Sequence, residues 1–131
     1  MAIKKMQIRG APAIGIAGAY AVALAGMHIT HESRVEFLEE LRTIAATIQE
    51  ARPTVVHLSW AVQRMLRVSD RTQNFSGIVE NLVTEAISIH DEDENANIRM
   101  GALGAELIPQ GSTLLTPAMP AHLPPVVMAQ L

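Results

Sequence analysis

The chain has 131 residues, 49% of them hydrophobic and 18% charged, with 13 acids against 10 Lys plus Arg and a formal charge of −3. Half the residues can enter a core and the charge balance is close to neutral, which argues against disorder, and the missing surplus of Lys and Arg argues against a nucleic-acid footprint. Cysteine is absent, which removes disulfides, thiolate zinc sites and cysteine nucleophiles together.

The first residues show no signal-peptide layout, so the cytoplasm is the expected compartment. From Ala13 to Met27 the residues are small or aliphatic on every side, which predicts a helix packed on all faces. Pro12 suits its first turn, and Gly15 and Gly18 would let neighbouring backbones come close. The apolar stretch from Ala11 to Ile29 falls near the lower limit for a membrane span. Its Gly15, Gly18, Gly26 and His28 fit a buried helix better, so no membrane partner is expected.

Ser33 and Glu36 form a capping-box pattern ahead of Val35, Leu38, Leu41, Ala45 and Ile48, which recur at helical spacing. This second helix should end near Ala51, because Pro53 disfavours the α conformation at Arg52. Pro53 or Thr54 can open a third helix striped by Val55, Leu58, Val62, Met65 and Leu66, and Ser69 to Asn74 reads as a loop. Ser76 can cap a fourth helix with Val79, Leu82, Val83, Ala86 and Ile87 buried. The acids Asp91 to Glu94 favour a further helix start, running through Ile98, Leu103 and Leu107 until Pro109 and Gly111 stop it. Ser112 to Thr116 looks like a single strand. Pro117 to Leu131 holds four prolines, no charge and no periodicity, and the composition changes abruptly at residue 117.

Two places combine an arginine with a helix start. Arg9-Gly10-Ala11-Pro12 precedes the first helix and Arg52-Pro53-Thr54 precedes the third, where unsatisfied N–H groups and the helix dipole favour an anion. If the two starts converge, both guanidiniums could grip one phosphate; taken singly, each is also what a surface arginine beside an ordinary helix boundary looks like. Asp91 to Glu94 lacks EF-hand spacing and fits a solvated helix start better than a metal site. The histidines His28, His31, His57, His90 and His122 show no zinc pattern. No nucleophile, base and oxyanion set can be assembled from these residues.

The run Ile8-Arg9-Gly10-Ala11-Pro12-Ala13-Ile14-Gly15-Ile16-Ala17 resembles the opening signature of the methylthioribose-1-phosphate isomerases, as does Ala51-Arg52-Pro53-Thr54-Val55-Val56-His57-Leu58, where the family usually has Asn in place of His57. A third match runs from Glu85 through Asp93, Asn97 and Gly101 to Gly111, and the likeness is collinear from about Met6 to Thr116. The resemblance implies an aldose–ketose isomerase of methionine salvage that converts S-methyl-5-thioribose 1-phosphate to its ribulose form. It also implies substrate contacts from Arg9, Gly10, Ala11 and Arg52, no metal or organic cofactor, and a homodimer.

The resemblance further implies a domain plan. Residues 1–111 would be the all-α, helical-bundle N-terminal domain, and residues 112–116 the first strand of a Rossmann-like domain whose remainder is missing. The family's catalytic Cys and Asp belong to that second domain, with the Cys falling where Ala118 stands, so the chain alone is expected to be inactive and prone to self-association. The codons of Ala118 to Leu131, shifted by one base, can spell Cys-Asn-Ala-Gly-Thr-Leu-Ala-Thr-Gly, the family's own continuation. Loss of the middle base of a His codon CAC after Thr116 would yield Pro117, so residues 117–131 are expected to be a frameshifted tail. The alternatives are a fragment of ribose-1,5-bisphosphate isomerase, a regulatory subunit related to translation initiation factor 2B, and a free-standing helical interaction module.

Overall fold

The computed structural model describes Ile3, Lys5, residues 7–109 and residues 111–113. Its elements are four α-helices, α1 (Ala11–His28), α2 (Arg34–Gln49), α3 (Val56–Arg71) and α4 (Ile78–Leu107), with a 3-10 turn at Phe75–Gly77 before α4. The expected all-α domain is present. No strand occurs among the described residues: Ser112 and Thr113 lie in neither helix nor strand, and the rest of the predicted strand, like the tail, falls outside them. The chain divides into two compact units, Met1–His90 and Asp91–Leu131.

The core of the first unit follows from where each helix is apolar. Ile14, Val22 and Ala23 of α1 meet Leu38, Leu41 and Ile48 of α2, Leu58, Val62 and Met65 of α3, and Ile78, Leu82 and Ile89 of α4 in one cluster. Burial of each such large side chain stabilises the fold by about 1.5–3 kcal/mol. The α1 helix is apolar all round, yet it is not enclosed on all sides. Its glycine face is buried, while Leu24 and Met27 are more than half exposed. By length and composition α1 could cross a membrane; here Gly15 and Gly18 lie against α3, and Gly26 lies against Leu82 of α4 and Phe37 of α2.

Those contacts set the directions of the helices. Gly15 meets His57 and Gly18 meets Leu58 and Val62, so α1 and α3 run parallel with their starts at the same end. The α2 helix runs antiparallel to both. At its start Arg34 donates to the carbonyls of Asp70 (3.1 Å) and Thr72 (3.2 Å), and Arg42 pairs with Asp70 at 2.6 Å, so α2 begins where α3 finishes. Toward its other end Gln49 donates to the Ser59 hydroxyl.

Several local expectations need correction. Ser33 occupies the N-cap of α2 but makes no side-chain capping bond, and the carboxylate of Glu36, the other half of the expected box, faces His31 at 3.7 Å. Ser69 to Arg71 continue α3 rather than opening a loop, with the Ser69 hydroxyl donating to the Leu66 carbonyl at 2.8 Å and so satisfied while buried. Asn74, not Ser76, caps the turn before α4, accepting from the Ser76 amide at 3.2 Å. The acidic run starts no new helix. Nothing between Ile78 and Leu107 breaks α4, and the carbonyls of Asp91 and Asp93 accept from the Asn95 and Asn97 side chains at 2.7 and 2.9 Å. Finally, Ile78 and Ile89 are buried and Ile87 is 46% exposed, so the face of α4 that enters the core is rotated from the expected one.

Candidate anion site at two helix starts

Gly10 is the N-cap of α1 with φ 90° and ψ 131°, a conformation that L side chains resist. Its carbonyl accepts from Ile14 at 3.0 Å, while the first turn has no side-chain cap and no acid. Ala11 is exposed, and Pro12 has no N–H to offer. Arg9 is exposed immediately before this start.

The start of α3 has the same character. Val55 is its N-cap, no side chain caps it, and its first turn also holds no acid. Arg52 is half-buried in the preceding turn, where its carbonyl accepts from the Val55 amide at 3.1 Å. By contrast, α2 and α4 carry Glu36 and Glu80 in their first turns. A helix N-terminus carries roughly half a positive charge, which an acid in the first turn offsets. The two starts without that acid are the two that lie side by side, Gly15 of α1 packing against His57 of α3. Two neighbouring helix starts without an acid favour an anion at their exposed amides, and Arg9 and Arg52 precede those starts in the chain.

Three other arginines of the first unit are engaged away from these starts. Arg34 and Arg42 serve the end of α3, and Arg64 is paired with Glu85 and stacked over Trp60 at 5.4 Å. An open depression of about 280 Å³ adjoins the Arg52 turn, lined by Ala46, Gln49, Glu50 and Pro53. It lies at the C-terminal end of α2 and its one charged lining group is a carboxylate, so it repels the ligand that the helix starts would attract. Among the described residues no His, Asp and Glu cluster has the arrangement of a metal site. The sequence reading missed the absence of acids from the two arginine-bearing starts, although that contrast with Glu36 and Glu80 is written in the residues themselves.

The sequence profile of the initiation factor 2 subunit family matches residues 7–127. The chain belongs to that family. Within it, the chain is 44% identical over 117 residues to a methylthioribose-1-phosphate isomerase of Heliobacterium modesticaldum, a match that takes in 88% of this chain and 34% of the relative. It is 45% identical over 116 residues to the enzyme of the same name from Desulforudis audaxviator, again 88% of this chain and 33% of the relative. In three dimensions it is similar to the 5-methylthioribose 1-phosphate isomerase of Pyrococcus horikoshii OT3, with a TM-score of 0.79 and 39% identity over 84% of this chain and 32% of that one. It is also similar to a translation initiation factor eIF-2B subunit delta from A. fulgidus, with a TM-score of 0.77 and 36% identity over the same shares. The chain thus spans about a third of the length of the family members it matches.

Proposed function

We propose that this chain forms the phosphate-holding part of an aldose–ketose isomerase acting on S-methyl-5-thioribose 1-phosphate, in the methionine salvage branch of amino-acid biosynthesis. What carries the reading is the Gly15 to His57 contact, which sets two acid-free helix starts side by side with Arg9 and Arg52 next to them. Arg9 and Arg52 would bind the phosphoryl oxygens by charge-assisted hydrogen bonds, and Gly10 and Ala11 would bring backbone amides up to the same oxygens. Names of relatives in the family support the substrate class.

These residues include no cysteine. In the proposed enzyme the Cys and Asp that move the hydrogen come from the Rossmann-like domain following residues 1–111, with residues 112–116 its first strand. Dimerisation and a cytoplasmic setting belong to the same proposal, as does the absence of any metal or organic cofactor. Residues 117–131 are proposed to be a frameshifted tail. The family match runs past Pro117 to residue 127, so the DNA across codons 116 and 117 is the arbiter: an intact reading frame there, or the same tail in independent relatives, rejects the frameshift.

The test is titration of the purified 131-residue chain with inorganic phosphate and with S-methyl-5-thioribose 1-phosphate, followed by amide chemical shifts. Shifts should appear at Ala11, Ala13, Val56 and His57, with no conversion of the sugar phosphate to the ketose. Absence of shifts at both helix starts refutes the phosphate seat, and turnover by the isolated chain refutes the division of labour. A second reading, a regulatory or helical interaction subunit, draws on the likeness to the eIF-2B subunit and on the exposure of Met100, Leu103 and Leu107. A stoichiometric protein partner without any sugar-phosphate binding would favour it.

A further inference from the structure

We propose that Gly15 is a positioning residue for the phosphate seat: its missing side chain lets the His57 carbonyl lie against α1, and this backbone contact sets the distance between the two anion-facing helix starts. The inference rests on the sugar-phosphate reading above. A Cβ built on Gly15 would sit 2.9 Å from the His57 carbonyl oxygen and 3.3 Å from both the His57 carbonyl carbon and its Cβ. An approach of 2.9 Å is not sustained by real Cβ atoms, and the atom it meets is backbone. His57 lies in the first turn of α3, so its carbonyl cannot swing aside by itself. Any side chain at residue 15 therefore moves the start of α3 away from the start of α1.

The other buried glycines of α1 meet something different. At Gly18 the nearest atom is Leu58 Cδ1, and at Gly26 it is Leu82 Cδ1 at 3.0 Å, both the tips of flexible side chains. A rotamer change can relieve those contacts with the backbones left in place. Gly26 also lies in the last turn of α1, far from Gly10 and Ala11. The glycine whose neighbour cannot yield is thus the one beside the proposed seat. Forked recognition of a phosphate tolerates displacements of only about 0.5 Å in its donors, and the shift a Cβ would impose at Gly15 is of that size.

The experiment compares Gly15→Ala with Gly26→Ala in the purified 131-residue chain, reading the urea midpoint and the affinity for inorganic phosphate by amide shifts. Both substitutions should lower the midpoint. Only Gly15→Ala should weaken phosphate, on the order of tenfold, with its amide changes concentrated at Ala11, Ala13, Val56 and His57. Wild-type affinity in folded Gly15→Ala overturns the proposal, as does equal weakening by Gly26→Ala. If Gly15→Ala does not fold, hydrogen exchange in the wild-type chain decides. Phosphate should then slow exchange at Gly15 and Leu58 together with the two helix starts, and slowing at the starts that leaves Gly15 and Leu58 unchanged overturns it. Failure of the wild-type chain to bind phosphate at all would instead reject the seat itself.

Discussion

At the end of the α1–α3 pair where α3 finishes, charge is settled within the protein. Arg34 covers two terminal carbonyls of α3, Arg42 holds Asp70, and His31 faces Glu36 and Glu40. At the end where α1 and α3 begin, neither first turn contains an acid or a side-chain cap, and Arg9 and Arg52 add positive charge to two positive helix ends. One end carries side-chain partners for its cations, and the other carries no acid in either first turn, which is what the proposed phosphate seat needs. The difference teaches that helix termini of similar geometry are separated by the charges that the sequence places, or withholds, in their first and last turns.

This contrast can be tested from both sides. The largest effect should come from Arg9→Ala and Arg52→Ala at the end proposed to hold phosphate: each should weaken phosphate binding by about ten- to a hundredfold, the loss of a charge-assisted hydrogen bond of about 1.5–3 kcal/mol, in calorimetric titration. Arg34→Ala at the opposite end should lower stability in urea by about 1–2 kcal/mol, because two α3 carbonyls lose their donor, with phosphate affinity unchanged. A parallel loss of affinity would erase the distinction between the ends. Smaller still is Val56→Glu, which puts an acid into the first turn of α3 at a residue 76% exposed. It should raise stability by about 0.3–1 kcal/mol and weaken phosphate binding, separating fold from ligand by opposite signs. The smallest change is Glu40→Gln. Its bond to His31 at 2.7 Å joins two side chains nearly half exposed, so urea unfolding should shift by less than about 0.5 kcal/mol.

Helix starts and stops were legible to within a few residues where proline or glycine dictates the backbone: Pro12 lies in the first turn of α1, Pro53 in the link between Gln49 and Val56 (so α3 opens two or three residues later than expected), and Pro109 and Gly111 shortly after Leu107. What the chain order could not supply was tertiary. The run from Ile78 to Ile89 offers apolar residues on a broad arc, and the neighbours it meets, among them Gly26 of α1, select Ile78, Leu82, Ala86 and Ile89 over Ile87. In α1 no amphipathic pattern marks a buried side. The side chosen is the one whose glycines allow close approach. The acids at 91–94 resemble a helix start, but with no proline or glycine before Gly101 the preceding helix continues through them. For the site, the arginines and helix starts were readable one by one. That the two starts lie side by side was not, since it depends on α1 and α3 packing directly and parallel, with α2 antiparallel to both.

Position 10 carries two constraints that a mutational survey would merge. With φ at 90°, Gly10 would be strained by any replacement side chain, at about 1–3 kcal/mol, whether or not a phosphate ever arrives. A selection for a folded chain would therefore retain glycine there even in descendants that bound no phosphate. Retention of glycine at this position would report the backbone of the bend; retention of Arg9 and Arg52 would be the sign of the proposed phosphate.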